Sequence, residues 1–350
     1  MNVEQIDRNF VVQTALNLDN PKFYNIEEEP FTVYGVFRGK DCYRRLPEDV
    51  AETVSEGVAH ACKMTSGGRI KFKTNSPYVA IQVKTPGVGK MAQFALTGSA
   101  GFDLYVGKKE QYYNLFIPPR DITDFFESVV HFPDSRMREI TINFPLFSLI
   151  SDVYIGVTEK AVVKKTAGYK YEKPIVFYGS SITQGACATR PGNCYVNMVA
   201  RALQSNFTSL AFTGNAKGED AIANYIKDLD MSVFVYDYDH NAPDAEHLEK
   251  THQRMFNIIR KANPDLPIIM MTAPYYVPDE NAKKRAAIIK KTYDDAIAAG
   301  DKNVYFFDGK TLMKYAKHDG YADYIGAHPN DLGYYSMAQA LIPQLRKLIS

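Results

Sequence analysis

From residue 174 onward, runs that are apolar at nearly every position alternate with stretches of helical period. The runs fall near 174–179, 207–213, 232–238, 267–273 and 303–308. The helical stretches fall near 192–204, 219–229, 244–262 and 280–299, with a last one at 332–348. A strand apolar along its whole length needs cover on both faces, which a parallel sheet between two helical layers provides. Regular alternation then implies right-handed strand–helix–strand units and a three-layer α/β/α domain. This pattern excludes an all-helical or all-β fold for the second half of the chain.

The first half reads differently. Short β-branched and aromatic runs, separated by turn residues, occupy about residues 30 to 160. They include Phe31–Tyr34, Arg69–Lys73, Tyr78–Val83, Phe94–Leu96, Gly101–Val106, Glu139–Phe144 and Val153–Val157. Several alternate polar with apolar, as half-buried antiparallel strands do, and Gly67-Gly68, Asn75-Ser76-Pro77 and Pro86-Gly87 supply turns. An antiparallel β-sandwich is the expected architecture. The Lys-rich stretch from Glu159 to Lys173 reads as the connection, giving a sandwich domain at 1–165 and an α/β domain at 172–350.

At 350 residues, two domains are the natural division. A formal charge of +1 favours neither nucleic acid nor an anionic membrane as a partner. No apolar stretch is long enough to span a bilayer, and the polar, acidic start lacks the pattern of an export signal, so a cytoplasmic location is expected. The four cysteines, Cys42, Cys62, Cys187 and Cys194, show no zinc spacing and are expected to be reduced. Cys187 and Cys194 form the one pairing with any redox appeal. Carboxylates at Asp237, Asp239 and Asp244 resemble a metal cluster in sequence, but strand-end acids commonly cap the next helix, and Asp244 stands where one begins.

The chemistry-bearing residues gather at predicted strand ends. Tyr178-Gly179-Ser180-Ser181-Ile182-Thr183-Gln184-Gly185 follows the first apolar run. A hydroxyl at such a turn sits at the carboxyl edge of the sheet, where open α/β sheets bind ligands. Acyl transfer by serine needs a nucleophile, a base and donors for an oxyanion. Ser181 supplies the first. Gly214, after the second run, lets a backbone N–H approach a reacting oxygen, and Asn241, after the third, offers a side-chain amide. His328, in Gly326-Ala327-His328-Pro329-Asn330, precedes the last helix as a candidate base. Arg190, Tyr105 and Tyr275 are candidate substrate contacts, although core packing is the plain alternative for Tyr105 and a loop-bridging role for Arg190.

Taken together, these blocks resemble the SGNH hydrolase superfamily, the GDSL-type esterases. More closely, the chain is similar to bacterial members with an N-terminal β-sandwich carrying a GxDLY motif, here Gly101-Phe102-Asp103-Leu104-Tyr105. The resemblance implies a flavodoxin-like hydrolase domain, Ser181 as nucleophile, His328 as base, and an oxyanion hole from Ser181, Gly214 and Asn241. It implies no metal or organic cofactor. One position departs from the family pattern: the acid usually found three residues before the histidine is replaced by Ile325. Either Asp323 orients the imidazole, or a backbone carbonyl does so in a Ser–His dyad; extended-chain alternation favours the dyad.

The expected activity is a serine esterase that removes small acyl groups, acetyl foremost, from a small-molecule or oligosaccharide ester. Two alternatives stand beside it: an acyltransferase working through the same acyl-enzyme, and a non-catalytic carbohydrate-binding protein with a decayed site. The sequence leaves the substrate's identity and the oligomeric state open.

Overall fold

The computed structural model describes residues 3–7, 10–12, 15–274, 279–316 and 328–349. Its second half is built on a five-stranded parallel sheet whose strands are Tyr171–Gly179, Ser205–Ala211, Val233–Asp237, Ile268–Met271 and Val304–Phe307. Their order across the sheet is second, first, third, fourth, fifth, all neighbours parallel. That is the flavodoxin-like order, with the first strand at the switch point. Alternate side chains of this strand go to opposite faces. Ile175 and Phe177 join one core with the Tyr195–Leu203 and Asp331–Leu348 helices. Val176 and Tyr178 join another with the Asp220–Lys227, Ala245–Ala262 and Glu280–Ala298 helices. Burial on both sides explains why these strands carry no polar alternation in sequence.

The first half holds two antiparallel sheets around one apolar core that includes Phe72, Phe102, Phe116, Ile140 and Val153. In one sheet Pro21–Asn25 pairs with Asp152–Thr158, which pairs in turn with Tyr78–Lys84 and then Phe125–His131. The other centres on Arg69–Thr74, Arg138–Asn143 and Phe102–Val106, with Gln111–Phe116 at its edge. One detail differs from the sequence reading. Phe94–Leu96 is not a strand: a short helical turn, Leu96–Ser99, begins there, and Phe94 packs against Phe147, ring centroids 5.2 Å apart. Val163–Lys164, inside the expected sandwich domain, pairs with Thr74 and Lys73 at the sheet edge.

The two halves are fused by buried cations. Arg45 lies 2 % exposed and donates to the carbonyls of Ala61, Met64, Ser209 and Ala211. Burial lowers its pKa to about 10. Arg69, also buried, donates to Asn206 Oδ1 at 2.7 Å and to the Phe207 carbonyl at 3.1 Å. Leu146 and Phe147 from the first half enter the same core as Ile182, Ala186 and Ala188. An interface of this kind holds the sandwich against the loops that follow the first parallel strand.

Candidate active site

The first parallel strand ends at Gly179, whose lateral neighbours are Ala211 on the second strand and Asp237 on the third. Glycine is required here: a Cβ would sit 2.1 Å from Asp237 Oδ1. Ser180 caps the Ser181–Gln184 helical turn, its hydroxyl accepting from the Ile182 amide, and Gly185 closes the turn with φ 98°. Ser181 is thereby the first residue of the turn at the carboxyl edge of the sheet.

His328 arrives from 147 positions away, with its Nε2 2.8 Å from Ser181 Oγ. Local anchors explain the meeting. Asn330 caps the last helix, accepting from the amides of Leu332 and Gly333. Asp331, the next residue, accepts from the Thr189 amide at 2.9 Å and from Asn193 Nδ2 at 2.7 Å. Tyr334 donates to the Ala186 carbonyl at 2.8 Å. The start of the histidine-bearing helix is thus tied to the loop that leaves the serine.

Gly214 lies three residues beyond Ala211 with φ 68°, and a Cβ built there meets no atom within 4 Å. The left-handed backbone leaves open space above a loop that is otherwise pinned. Gln184 does the pinning: fully buried, it accepts from the Thr213 amide at 3.0 Å and donates to the Leu146 carbonyl at 3.2 Å. Asn241 lies four residues beyond Asp237, and its Oδ1 is buried with no hydrogen-bond partner among the described residues. The strand ends place Ser181, Gly214 and Asn241 at one edge of the sheet.

Two of the candidate substrate contacts belong elsewhere. Tyr105 is 1 % exposed and lies under Arg190, which donates to its hydroxyl and pairs with Asp103 at 3.1 Å. Asp103 also accepts from Asn143 Nδ2 and from the Gly192 amide, both at 2.7 Å. Burial pushes the Asp103 carboxyl up, with Arg190, Asn143 and Gly192 acting against that shift. Burial acts to lower the Arg190 pKa, but Tyr105 and Asp103 outweigh it and the net shift is upward. The GxDLY motif therefore joins the sandwich to the loop after the serine turn, with Tyr105 and Asp103 both meeting Arg190. Tyr275 and Asp323 lie outside the described residues.

The three acids that looked like a metal cluster serve separate purposes. Asp237 accepts from Thr183 Oγ1 at 2.6 Å, Asp239 from the Ala273 and His240 amides, and Asp244 caps the Ala245–Ala262 helix through the His247 amide. No cluster suited to a metal occurs among the described residues. Cys42, Cys62 and Cys194 are free thiols, and burial raises the Cys194 thiol to about 12. No helix among the described residues is long and apolar enough to cross a membrane. A cavity of about 230 Å³ lies at the same edge of the sheet, between Asp239, Thr272 and Ala273 on one side and Ala286 and Asp308 on the other.

Comparison with known proteins agrees with this geometry. Residues 172–346 match the model of the GDSL-like lipase/acylhydrolase family, and residues 21–163 match that of the GxDLY domain, the N-terminus of SGNH-hydrolase-type esterases. The chain belongs to the GDSL-like lipase/acylhydrolase family. A protein described as a GDSL-like lipase from Bacteroides ovatus is 26 % identical, with a TM-score of 0.84 over 94 % of this chain and 98 % of that one. The salicylyl-acyltransferase SsfX3 of a tetracycline biosynthetic pathway shares the fold at 18 % identity, TM-score 0.77, over 94 % and 97 % of the two chains. So does an acetyl xylan esterase from the rumen bacterium Butyrivibrio proteoclasticus, at 12 % identity and TM-score 0.62 over 94 % and 98 %. No curated protein sequence matches. Family membership makes this an esterase-type enzyme of the acylhydrolase class.

What the sequence reading missed is the support around the site. Gln184, Asp331, Tyr334 and the Thr183–Asp237 contact carry little signal in one dimension, because each acts across more than 25 residues of chain. Only the density of polar residues in Ser180–Gln184, inside an otherwise apolar strand–turn junction, hinted at them.

Proposed function

We propose that the protein is a serine esterase for small acyl esters, acetyl foremost, carried on carbohydrate. The observation that carries this reading is the 2.8 Å contact between Ser181 Oγ and His328 Nε2 at the carboxyl edge of the parallel sheet. That distance suits direct proton transfer. His328 takes the hydroxyl proton as Ser181 Oγ attacks the ester carbonyl. The tetrahedral oxyanion accepts from the Ser181 and Gly214 amides and from the Asn241 side chain. His328 then protonates the leaving alkoxide, leaving the acyl group on Ser181, and a water activated by the same imidazole releases the acid. Losing one such donor typically costs about 2.7–4 kcal/mol of barrier.

The carbohydrate preference draws on the acetyl xylan esterase among the structural neighbours and on the sandwich domain. Hydrolysis of p-nitrophenyl acetate, abolished in Ser181→Ala and in His328→Ala, is the expected outcome; turnover that survives Ser181→Ala rules the nucleophile out. Activity should fall steeply from acetyl to octanoyl esters, and a flat profile refutes the small-acyl preference. Acetylated oligosaccharides followed by mass spectrometry test the carbohydrate preference, and loss of the acetyl mass from none of them defeats it. The acyltransferase alternative is tested by the fate of the acyl group: an acylated acceptor with no free acid would replace hydrolysis with transfer.

A further inference from the structure

Beneath the serine turn lies a polar chain that the proposed reaction does not use. Thr183, two residues after Ser181, is 1 % exposed and donates to Asp237 Oδ1 at 2.6 Å. Tyr195, equally buried on the helix that follows, meets Thr183 Oγ1 at 2.9 Å. The Ser180 amide donates to the Asp237 carbonyl at 3.2 Å. Gly179 gives up its Cβ space to the same carboxyl. So one side chain touches the strand end before the nucleophile, the turn that carries it and, through Thr183, the helix behind it.

From this geometry we infer that Asp237, acting through Thr183 and Tyr195, is a positioning residue that holds the Ser181 turn in register with His328. The inference rests on the serine-esterase reading. Its physical basis is that a four-residue helical turn has almost no stability of its own, so outside contacts must fix the serine. A displacement of about 1 Å in a reacting group can cost a hundredfold in rate.

The ionisation state matters to this role. The groups facing the Asp237 carboxyl are the Thr183 hydroxyl and the turn amides, Tyr195 from the neighbouring helix, and Asp239 beyond it on the same segment. Arg285 is the nearby cation, but its guanidinium is directed to the Asp239 and Ala242 carbonyls. Burial, reinforced by Asp239 and opposed by the hydroxyls, pushes the Asp237 carboxyl up to about 8. In neutral solution Asp237 is then an uncharged acid, and it adds no negative charge beneath a developing oxyanion.

Steady-state kinetics of Asp237→Ala and Asp237→Asn from pH 6 to 10, with Ser181→Ala as the control, provide the test. Asp237→Ala should lower kcat by tenfold to a hundredfold with KM changed less than threefold. Asp237→Asn, an uncharged isostere, should bring kcat back to within about threefold of the native enzyme below pH 7. It should also lack the fall in activity that is expected of the native enzyme as pH rises through about 8. The labelling rate of Ser181 by a fluorophosphonate, read by mass spectrometry, should follow the same order. Native kcat in Asp237→Ala, with only its melting temperature reduced, would overturn the inference, as would an Asn variant as impaired as the Ala variant. If Asp237→Ala does not fold, Thr183→Val takes its place with the same expected loss of kcat. Failure of the esterase reading looks different: the native protein then labels at Ser181 but shows no Ser181-dependent ester turnover, and the labelling series alone reports on Asp237.

Discussion

Two aspartates, one on each side of the domain junction, are buried to nearly the same extent and are satisfied by different means. Asp103 in the sandwich meets a cation, an amide side chain and a backbone N–H, and Arg190 lies across it to stack on Tyr112 at 3.7 Å. Asp237 under the serine turn has hydroxyls and no hydrogen-bonding cation among the described residues. A carboxyl supplied with a cation and N–H donors can staple domains together, those partners opposing the upward push of burial. One supplied with hydroxyls and a backbone N–H but no cation is more stable neutral, and it fits where negative charge would oppose chemistry. The contrast teaches that a buried acid's surroundings, not its depth, set its use.

The comparison can be broken most directly at Asp103. Asp103→Ala leaves Arg190 facing a gap and should cost about 3–5 kcal/mol in urea unfolding; a loss below about 1 kcal/mol would remove the staple. The next effect concerns pH. Below the ordinary aspartate range Asp237 is neutral whether folded or unfolded, and its contribution to stability is intact. As pH rises, the unfolded chain ionises first while the folded carboxyl holds its proton up to about 8, so stability drains away across that window. From pH 5 to 7 the loss should reach about 2–3 kcal/mol in the native protein, and Asp237→Asn should lose that much less over the same span. Parallel stability curves for the two would show that Asp237 is ionised when folded.

A smaller effect is expected from Thr183→Val, which leaves the Asp237 carboxyl and the Tyr195 hydroxyl short of a partner. It should lower stability by about 1–3 kcal/mol in the same denaturation assay, and an unchanged midpoint would mean the hydroxyl chain has been replaced by water. Smallest is Tyr112→Ala, which removes an exposed ring from the outer face of Arg190. About 0.5–1 kcal/mol is expected, with ester turnover unaffected; a rise in KM would instead return Arg190 to the substrate.

Much of this architecture was readable before any coordinate was known. The five parallel strands fall within a few residues of the apolar runs, because burial on both faces writes itself into sequence as uninterrupted hydrophobicity. The sandwich was harder. Gln111–Phe116, an edge strand exposed along most of its length, was not among the expected runs, and neither was Phe125–His131. The helices Glu48–Val54 and Glu56–Ala61 are too short for a clear period; the first packs onto the Asp220–Lys227 helix and the second against the first. Ser181, Gly214, Asn241 and His328 stood out because strand ends in a parallel sheet share one edge. For Arg190 and Tyr105 the sequence left two readings open, since a charged loop residue and a buried tyrosine look the same in one dimension whether they meet a ligand or each other.

By itself, then, the sequence determined the layered α/β half, the antiparallel half and which side chains stand at the reactive edge. Those follow from local periodicity and from the direction of the strands, both of which are properties of neighbouring residues. The tertiary structure alone decided that His328 reaches Ser181, that the GxDLY aspartate faces the neighbouring domain, and that Asp237 sits uncompensated beneath the serine. Each of these depends on contacts across more than 50 residues, where packing density and the cost of leaving a buried polar group unpaired choose the partner.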